Sequence, residues 1–183
     1  RDTVEALHVV APADAPLVLI VDDDIELRTF VTRQLSKDYR IALALDAGEG
    51  LRLARTSKPD LVMVDITTSG EGALSLLHQL RADAELATIP VLVLTGRADE
   101  RTTIRLLDAG ADDCLEKPIS PPALEARVHA LLRLVRTRRD VARHEEDAVH
   151  LARTVEARDQ FLTVASHELR TPLSTLQLNL QIL

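Results

Sequence analysis

The chain has 183 residues, of which 46% are hydrophobic and 28% charged, the balance of a folded globular protein rather than a disordered or fibrous one. Aromatic residues make up 2%, with no Trp, one Tyr and two Phe, so a core has to be built from Leu, Val, Ile and Ala in regular elements, which favours helix-rich or α/β architecture. A formal charge of −7 gives nucleic acid no broad attraction, and the single cysteine, Cys114, has no second cysteine with which to form an internal disulfide.

No segment approaches the roughly 20 apolar residues needed to span a bilayer, and no basic stretch followed by an apolar run marks a signal peptide. The expectation is therefore a cytoplasmic protein, with no nucleic-acid partner and no membrane contact from this segment. Arg1 in place of Met reads as the mark of an excised piece.

Residues 1–16, rich in Ala and carrying two Pro, read as a linker. Short apolar runs then alternate with helix-patterned stretches. LVLIV at 17–21, RIALAL at 40–45, LVMV at 61–64, VLVL at 91–94 and a weaker DCLE at 113–116 suit strands buried on both faces of a parallel sheet. Amphipathic segments near 25–36, 47–56, 72–82 and 99–108 are long enough to cross over it. Right-handed crossovers put helices on both faces, giving an α/β fold with a doubly wound, five-stranded parallel sheet in a domain of about 120 residues.

Ser120 and Pro121 suit the cap and first turn of a helix, and no Gly or Pro follows until Pro172. One helix over 121–171 would be roughly 75 Å long at about 1.5 Å per residue. Leu124, Val128, Leu131 and Val135 step by 4, 3 and 4, as in a heptad seam, which gives the long α-helix coiled-coil character. The same register then meets Arg138, Ala142, Glu145, Val149 and Ala152, while Leu151, Val155 and Leu162 follow a different phase, so a stutter or break is expected around RTRRD and RHEED.

In an open parallel sheet, ligands bind beyond the carboxyl ends of the strands. The residues there are Asp22, Asp23 and Asp24 after the first run, Asp65 after the third, Thr95 and Gly96 after the fourth, and Lys117 with Pro118 after the fifth. Crowded carboxylates repel one another unless a cation neutralises them. A hard ion such as Mg2+ takes oxygen ligands and keeps waters that phosphoryl oxygens can replace. Asp65 is then the nucleophile that forms an acyl phosphate, with Lys117 and the metal neutralising the transferring group and the Thr95 hydroxyl bonding one of its oxygens. Asp24 is the weakest candidate of the acidic triplet. DAGEG at 46–50 has the D-x-G-x-G form of kinase ATP sites but reads as a turn opening a helix, and RLVRTRR reads as a solvated helix face.

With LIVDDD, PDLVMVD, VLVLTG and EKPIS in order at the strand ends, residues 17–121 resemble a response-regulator receiver domain, a flavodoxin-like fold whose last helix starts near 121. The resemblance implies that Asp22 and Asp23 hold Mg2+ together with Asp65 and the Thr67 backbone carbonyl. It also implies that Asp65 is the phosphoacceptor and that Thr95 and Lys117 contact the phosphoryl group. Two positions depart from the family pattern. The loop DITTSGEG is one residue short and lacks the usual Met-Pro turn, and Cys114 stands where receivers often carry an aromatic residue that couples to the Thr.

Residues 158–173 read RDQFLTVASHELRTPL. A neutral imidazole at His167 is a competent nucleophile towards a γ-phosphoryl group, and Glu168 beside it can accept the proton of the other ring nitrogen. The Pro172 ring clashes with the carbonyl four residues back, that of Glu168, so a kink is expected beside the histidine. The stretch resembles the H-box of sensor histidine kinases, in the first helix of their dimerisation and phosphotransfer domain. That resemblance implies that His167 is phosphorylated, that Glu168 is the acid/base, and that Thr171 positions water in the phosphatase reaction.

The combined expectation is a hybrid histidine kinase fragment acting in a two-component phosphorelay. Its parts are a receiver at 17–121, a signalling helix at 122–157 and a truncated phosphotransfer helix at 158–183. The parent protein is expected to be an ATP-dependent protein-histidine kinase, with ATP entering only through a catalytic domain that this chain lacks. The expected partners are a second copy, paired through the helical region, and a phosphohistidine donor or a downstream receiver or phosphotransfer protein. The alternative is a non-catalytic phosphorelay and dimerisation module phosphorylated by a separate kinase. An Asp-nucleophile phosphatase fits poorly, because no acidic pair follows Lys117 and Asp65 would have no role.

Overall fold

The apolar runs and the amphipathic stretches between them form β1 (Leu17–Val21), α1 (Ile25–Leu35), β2 (Arg40–Ala44), α2 (Ala47–Ser57), β3 (Leu61–Ile66), α3 (Glu71–Ala82), β4 (Val91–Thr95), α4 (Glu100–Asp108) and β5 (Asp113–Glu116). A last helix, α5, covers residues 121–137. The computed structural model describes residues 11–66, 71–96, 100–137, 140, 141 and 144. The sheet and its helices belong to the first of two compact units, Arg1–Arg136, the second being Thr137–Leu183. Most of the expected continuation of the long helix, together with the H-box, lies outside the described residues, as do Thr67, His167, Glu168 and Thr171.

All strand pairs are parallel, in the order β2-β1-β3-β4-β5. The order reverses between β1 and β3, which opens a crevice at their carboxyl ends. Alternation along the strands divides the core in two. Leu19, Val21, Val62, Val64, Val91 and Val93 pack with the helical residues Ala54, Leu76, Leu80 and Leu106 on one face. Val18, Ile20, Met63, Leu92 and Leu94 pack with Val31, Leu35, Leu124 and Val128 on the other. Gly50 lets α2 lie close to β1, since a Cβ there would stand 2.8 Å from Val21 Cγ2.

Burial on both faces holds for β1, β3 and β4, whereas the edge strands β2 and β5 are only partly covered. The helix expected from Ser120 and Pro121 begins at residue 121, with the Leu124 amide donating to the Ser120 carbonyl at 3.1 Å. Its apolar stripe, however, lies against the sheet. Leu124 and Val128 are fully buried and Leu131 is 8% exposed, so these residues of the expected heptad seam are occupied within the domain. Burying each such side chain contributes about 1.5–3 kcal/mol. Among the described residues no helix is long and apolar enough to cross a membrane.

The amino ends of β4 and β5 are tied together by one arginine. Arg81 donates Nε to the Gly110 carbonyl at 2.9 Å, Nη1 to the Ala87 and Ile89 carbonyls at 3.1 and 2.9 Å, and Nη2 to Asp112 Oδ2 at 2.7 Å. Asp112 Oδ2 also accepts from the Val91 amide at 2.8 Å. Gly110 follows α4 with φ +104°, its amide bonding the Leu107 carbonyl while the Ala111 amide reaches back to Leu106, a glycine-terminated helix end. A Cβ at Gly110 would lie 2.6 Å from Arg81 Cγ. Gly110→Ala is therefore expected to lower the unfolding free energy by about 2 kcal/mol or more, through backbone strain and the displaced arginine. Urea denaturation checks this, and a loss under about 0.5 kcal/mol contradicts it.

Candidate functional site

The β1–α1 loop is three residues long, and each acid in it has a different setting. Asp22 is 4% exposed. Its amide donates to the Ala44 carbonyl at 3.0 Å, and its Oδ1 accepts from the Asp24 amide at 2.8 Å. Asp23 is exposed to solvent. Asp24 is the N-cap of α1, accepting from the Glu26 and Leu27 amides at 2.8 and 3.4 Å, which accounts for the third acid of the triplet as a helix cap.

Asp65 and Thr95 lie inside their strands rather than just beyond them. The β3–β4 ladder continues through the pairs Asp65↔Leu94 and Ile66↔Thr95. The Asp65 side chain is only 2% exposed, and Lys117 Nζ stands 2.8 Å from its Oδ1. Apart from this ion pair, both Asp65 oxygens and Asp22 Oδ2 are buried without a hydrogen-bond partner among the described residues. Thr95 is 3% exposed, and its carbonyl accepts from the Lys117 amide at 2.8 Å, which joins the ends of β4 and β5 directly. The Lys117–Pro118 peptide is cis.

Asp22, Asp65, Thr95 and Lys117 thus converge at the carboxyl rim, as their strand-end positions in the sequence imply. Two buried carboxylates face one ammonium, and Asp22 Oδ2 and Asp65 Oδ2, without partners among the described residues, are hard donors of the kind Mg2+ takes, usually from one or two carboxylates plus waters. The residues present fit that ion. Among the described residues no three His, Cys, Asp or Glu side chains form a complete metal cluster by themselves.

Cys114 packs against the core on the α2–α3 side, and burial, with the Asp113 carboxylate, pushes its thiol above the ordinary value. DAGEG opens α2 as expected. Asp46 caps the helix by accepting from the Glu49 amide at 2.8 Å, and Glu49 Oε2 accepts from the Leu45 amide at 2.9 Å, so each residue satisfies a donor on the other's side of the helix start. Arg28, which has no motif signal in the sequence, donates from Nη1 to the Asp22 carbonyl.

Comparison with known proteins yields two family matches. The response regulator receiver domain model matches residues 18–129, more than half of the chain, and the His Kinase A (phospho-acceptor) domain model matches residues 157–183. The chain is 33% identical to hybrid signal transduction histidine kinase D of Dictyostelium discoideum over 87% of this chain and 12% of that protein. It is 37% identical to sensor histidine kinase TmoS of Ectopseudomonas mendocina over 66% of this chain and 12% of that protein. It therefore spans about an eighth of the length of either kinase. Among solved structures, the signal receiver domain of a signal transduction histidine kinase from Syntrophus aciditrophicus is 30% identical, with TM-score 0.60, over 65% of this chain and 91% of that one. A CheY-like receiver domain protein from Methanospirillum hungatei JF-1 is 26% identical, with TM-score 0.62, over 68% of this chain and 98% of that one.

Among the described residues, the rim carries more buried negative charge than Lys117 offsets. Burial, above all, raises the Asp22 carboxyl from 3.8 to about 6; the Asp65 and Asp24 carboxylates add to the rise, and the Asp24 amide and Lys117 oppose it. A raised native pKa means that the native state binds the proton more tightly than the unfolded chain. The associated stability is fully present below pH 3.8 and is lost as the pH rises through about 6. Without divalent metal, Asp22→Asn is therefore expected to be more stable than the wild type at pH 7.5, by about 1–3 kcal/mol, with the gap closing towards pH 4. Urea unfolding in chelator at the two pH values tests this. A variant less stable than the wild type at pH 7.5 contradicts it.

Proposed function

The chain belongs to the response regulator receiver family, and on that premise we propose that it accepts a phosphoryl group on Asp65, with Mg2+ held by Asp22, Asp23, Asp65 and the Thr67 carbonyl. Its setting is two-component phosphorelay signalling. The observation that carries the assignment is the buried Asp65 carboxylate, with Lys117 Nζ 2.8 Å from Oδ1 and with Oδ2 lacking a partner among the described residues.

An Asp65 oxygen attacks the phosphorus of a phosphohistidine or small phosphodonor. The new P–O bond forms an acyl phosphate, the donor's P–N or P–O bond breaks, and the electron pair leaves with the donor group, which takes a proton from water. Mg2+, when bound, supplies positive charge to the phosphoryl oxygens. Lys117 gives up part of its contact with Asp65 and turns its ammonium to the incoming oxygens, and the Thr95 hydroxyl donates to one of them. Burial strengthens each of these interactions relative to bulk water.

We assign residues 17–121 to the receiver, whose last helix starts near 121, residues 122–157 to a signalling helix, and residues 158–183 to a phosphotransfer helix. In that helix His167 is the second phosphoacceptor, Glu168 its acid/base and Thr171 the residue that positions water. The parent protein is an ATP-dependent protein-histidine kinase that pairs with a second copy through the helical region. Coupling from the receiver is supported by the packing. Leu94, the register partner of Asp65, and Met63 share a core with Leu124 and Val128 of α5, so a rearrangement at Asp65 reaches the base of that helix.

Incubation with Mg2+ and a small acyl phosphate, followed by intact-mass measurement, is expected to show one added phosphoryl group that is base-labile and disappears in Asp65→Ala. No adduct, or an adduct that persists in Asp65→Ala, contradicts the assignment.

A further inference from the structure

Arg28 sits in the first turns of α1, and its guanidinium donates to the backbone carbonyl of Asp22. With that bond, the Asp22 amide is paired to Ala44, its Oδ1 to the Asp24 amide and its carbonyl to Arg28, while Oδ2 is left buried without a partner among the described residues. The loop is held from α1 as well, because the Arg28 amide bonds the Asp24 carbonyl at 3.0 Å and Asp24 caps the same turn.

We propose that Arg28 is a positioning residue for divalent-cation binding: by holding the Asp22 carbonyl it fixes the peptide plane between Asp22 and Asp23, and so the directions in which both acids present their oxygens. A peptide is planar, so anchoring its carbonyl sets the orientation of the next residue's Cα as well. This inference rests on the reading of Asp22 and Asp23 as metal-holding residues. It is opposite in sign to a plain charge effect. A guanidinium near a cation site repels the cation, so its removal would tighten binding if charge alone mattered. Removal of a group that orients a ligand loosens binding.

The test is the Mg2+ dissociation constant from isothermal titration calorimetry for the wild type, Arg28→Met, Arg28→Lys and Arg33→Met. Arg33 is exposed on the same helix and controls for the loss of one positive charge. Arg28→Met is expected to bind Mg2+ about tenfold or more weakly, with its urea midpoint in chelator close to that of the wild type. Arg28→Lys, which keeps the charge and a donor but not the planar fork, is expected to fall between the two, and Arg33→Met to match the wild type. Affinity unchanged or tighter in Arg28→Met overturns the inference. Where Arg28→Met does not fold, Arg28→Lys decides: weaker binding than the wild type supports the inference, and equal or tighter binding overturns it. A wild type that binds no Mg2+ overturns the reading of the acidic pair itself, and the inference with it.

Discussion

Among the described residues, two buried carboxylates share one ammonium, which leaves a negative charge without an ion-pair partner. Asp22 and Asp65 are almost fully enclosed, and Lys117 reaches only one oxygen of one of them. Burying charge without compensation is among the more expensive things a fold can do, and here the expense shows as a proton held on Asp22 up to about pH 6. An arrangement of this kind is stable enough to persist only because the surrounding sheet is well packed. On the proposed function, a divalent cation would relieve the same imbalance.

The topology supplies that packing and chooses the location. The order reverses between β1 and β3, the point at which open parallel sheets bind ligands beyond their strands, and the centres of β1, β3 and β4 are fully buried. Thr95 and Lys117 are brought into register by the hydrogen bond between their backbones. At the opposite end of the sheet, Arg81 closes the entry to β4 and β5 with four carbonyl and carboxylate contacts. The Arg81 tie and the candidate site thus lie at opposite ends of the sheet.

Much of this was legible in the sequence because its signals are local. Consecutive apolar runs of four to six residues at near-regular spacing indicated strands, and the acids, Thr95 and Lys117 stood at their carboxyl ends. Other features depended on pairing across the sheet. The continuation of β3 through Asp65 and Ile66 follows from the length of β4 beside it. The partial exposure of β2 and β5 follows from their edge positions. The stripe through Leu124, Val128 and Leu131 has a spacing that suits a partner helix and a sheet surface equally well, and only the tertiary packing assigns it to the sheet. Arg28 could not be found from sequence spacing, because an arginine one turn into a helix has no signature that distinguishes it from a solvated one. Asp24 could have been recognised as a cap from its place directly before the helix.

The central claim is that the buried acidic pair is completed by a divalent cation. The most direct measurement is the unfolding free energy as a function of free Mg2+ at pH 7.5, for the wild type and for the double variant Asp22→Asn/Asp65→Asn. Binding to the native state alone predicts that the wild type gains about 1.4 kcal/mol for each tenfold rise in Mg2+ above its dissociation constant, while the double variant stays flat. Equal responses in the two proteins, or none in the wild type, would contradict the account.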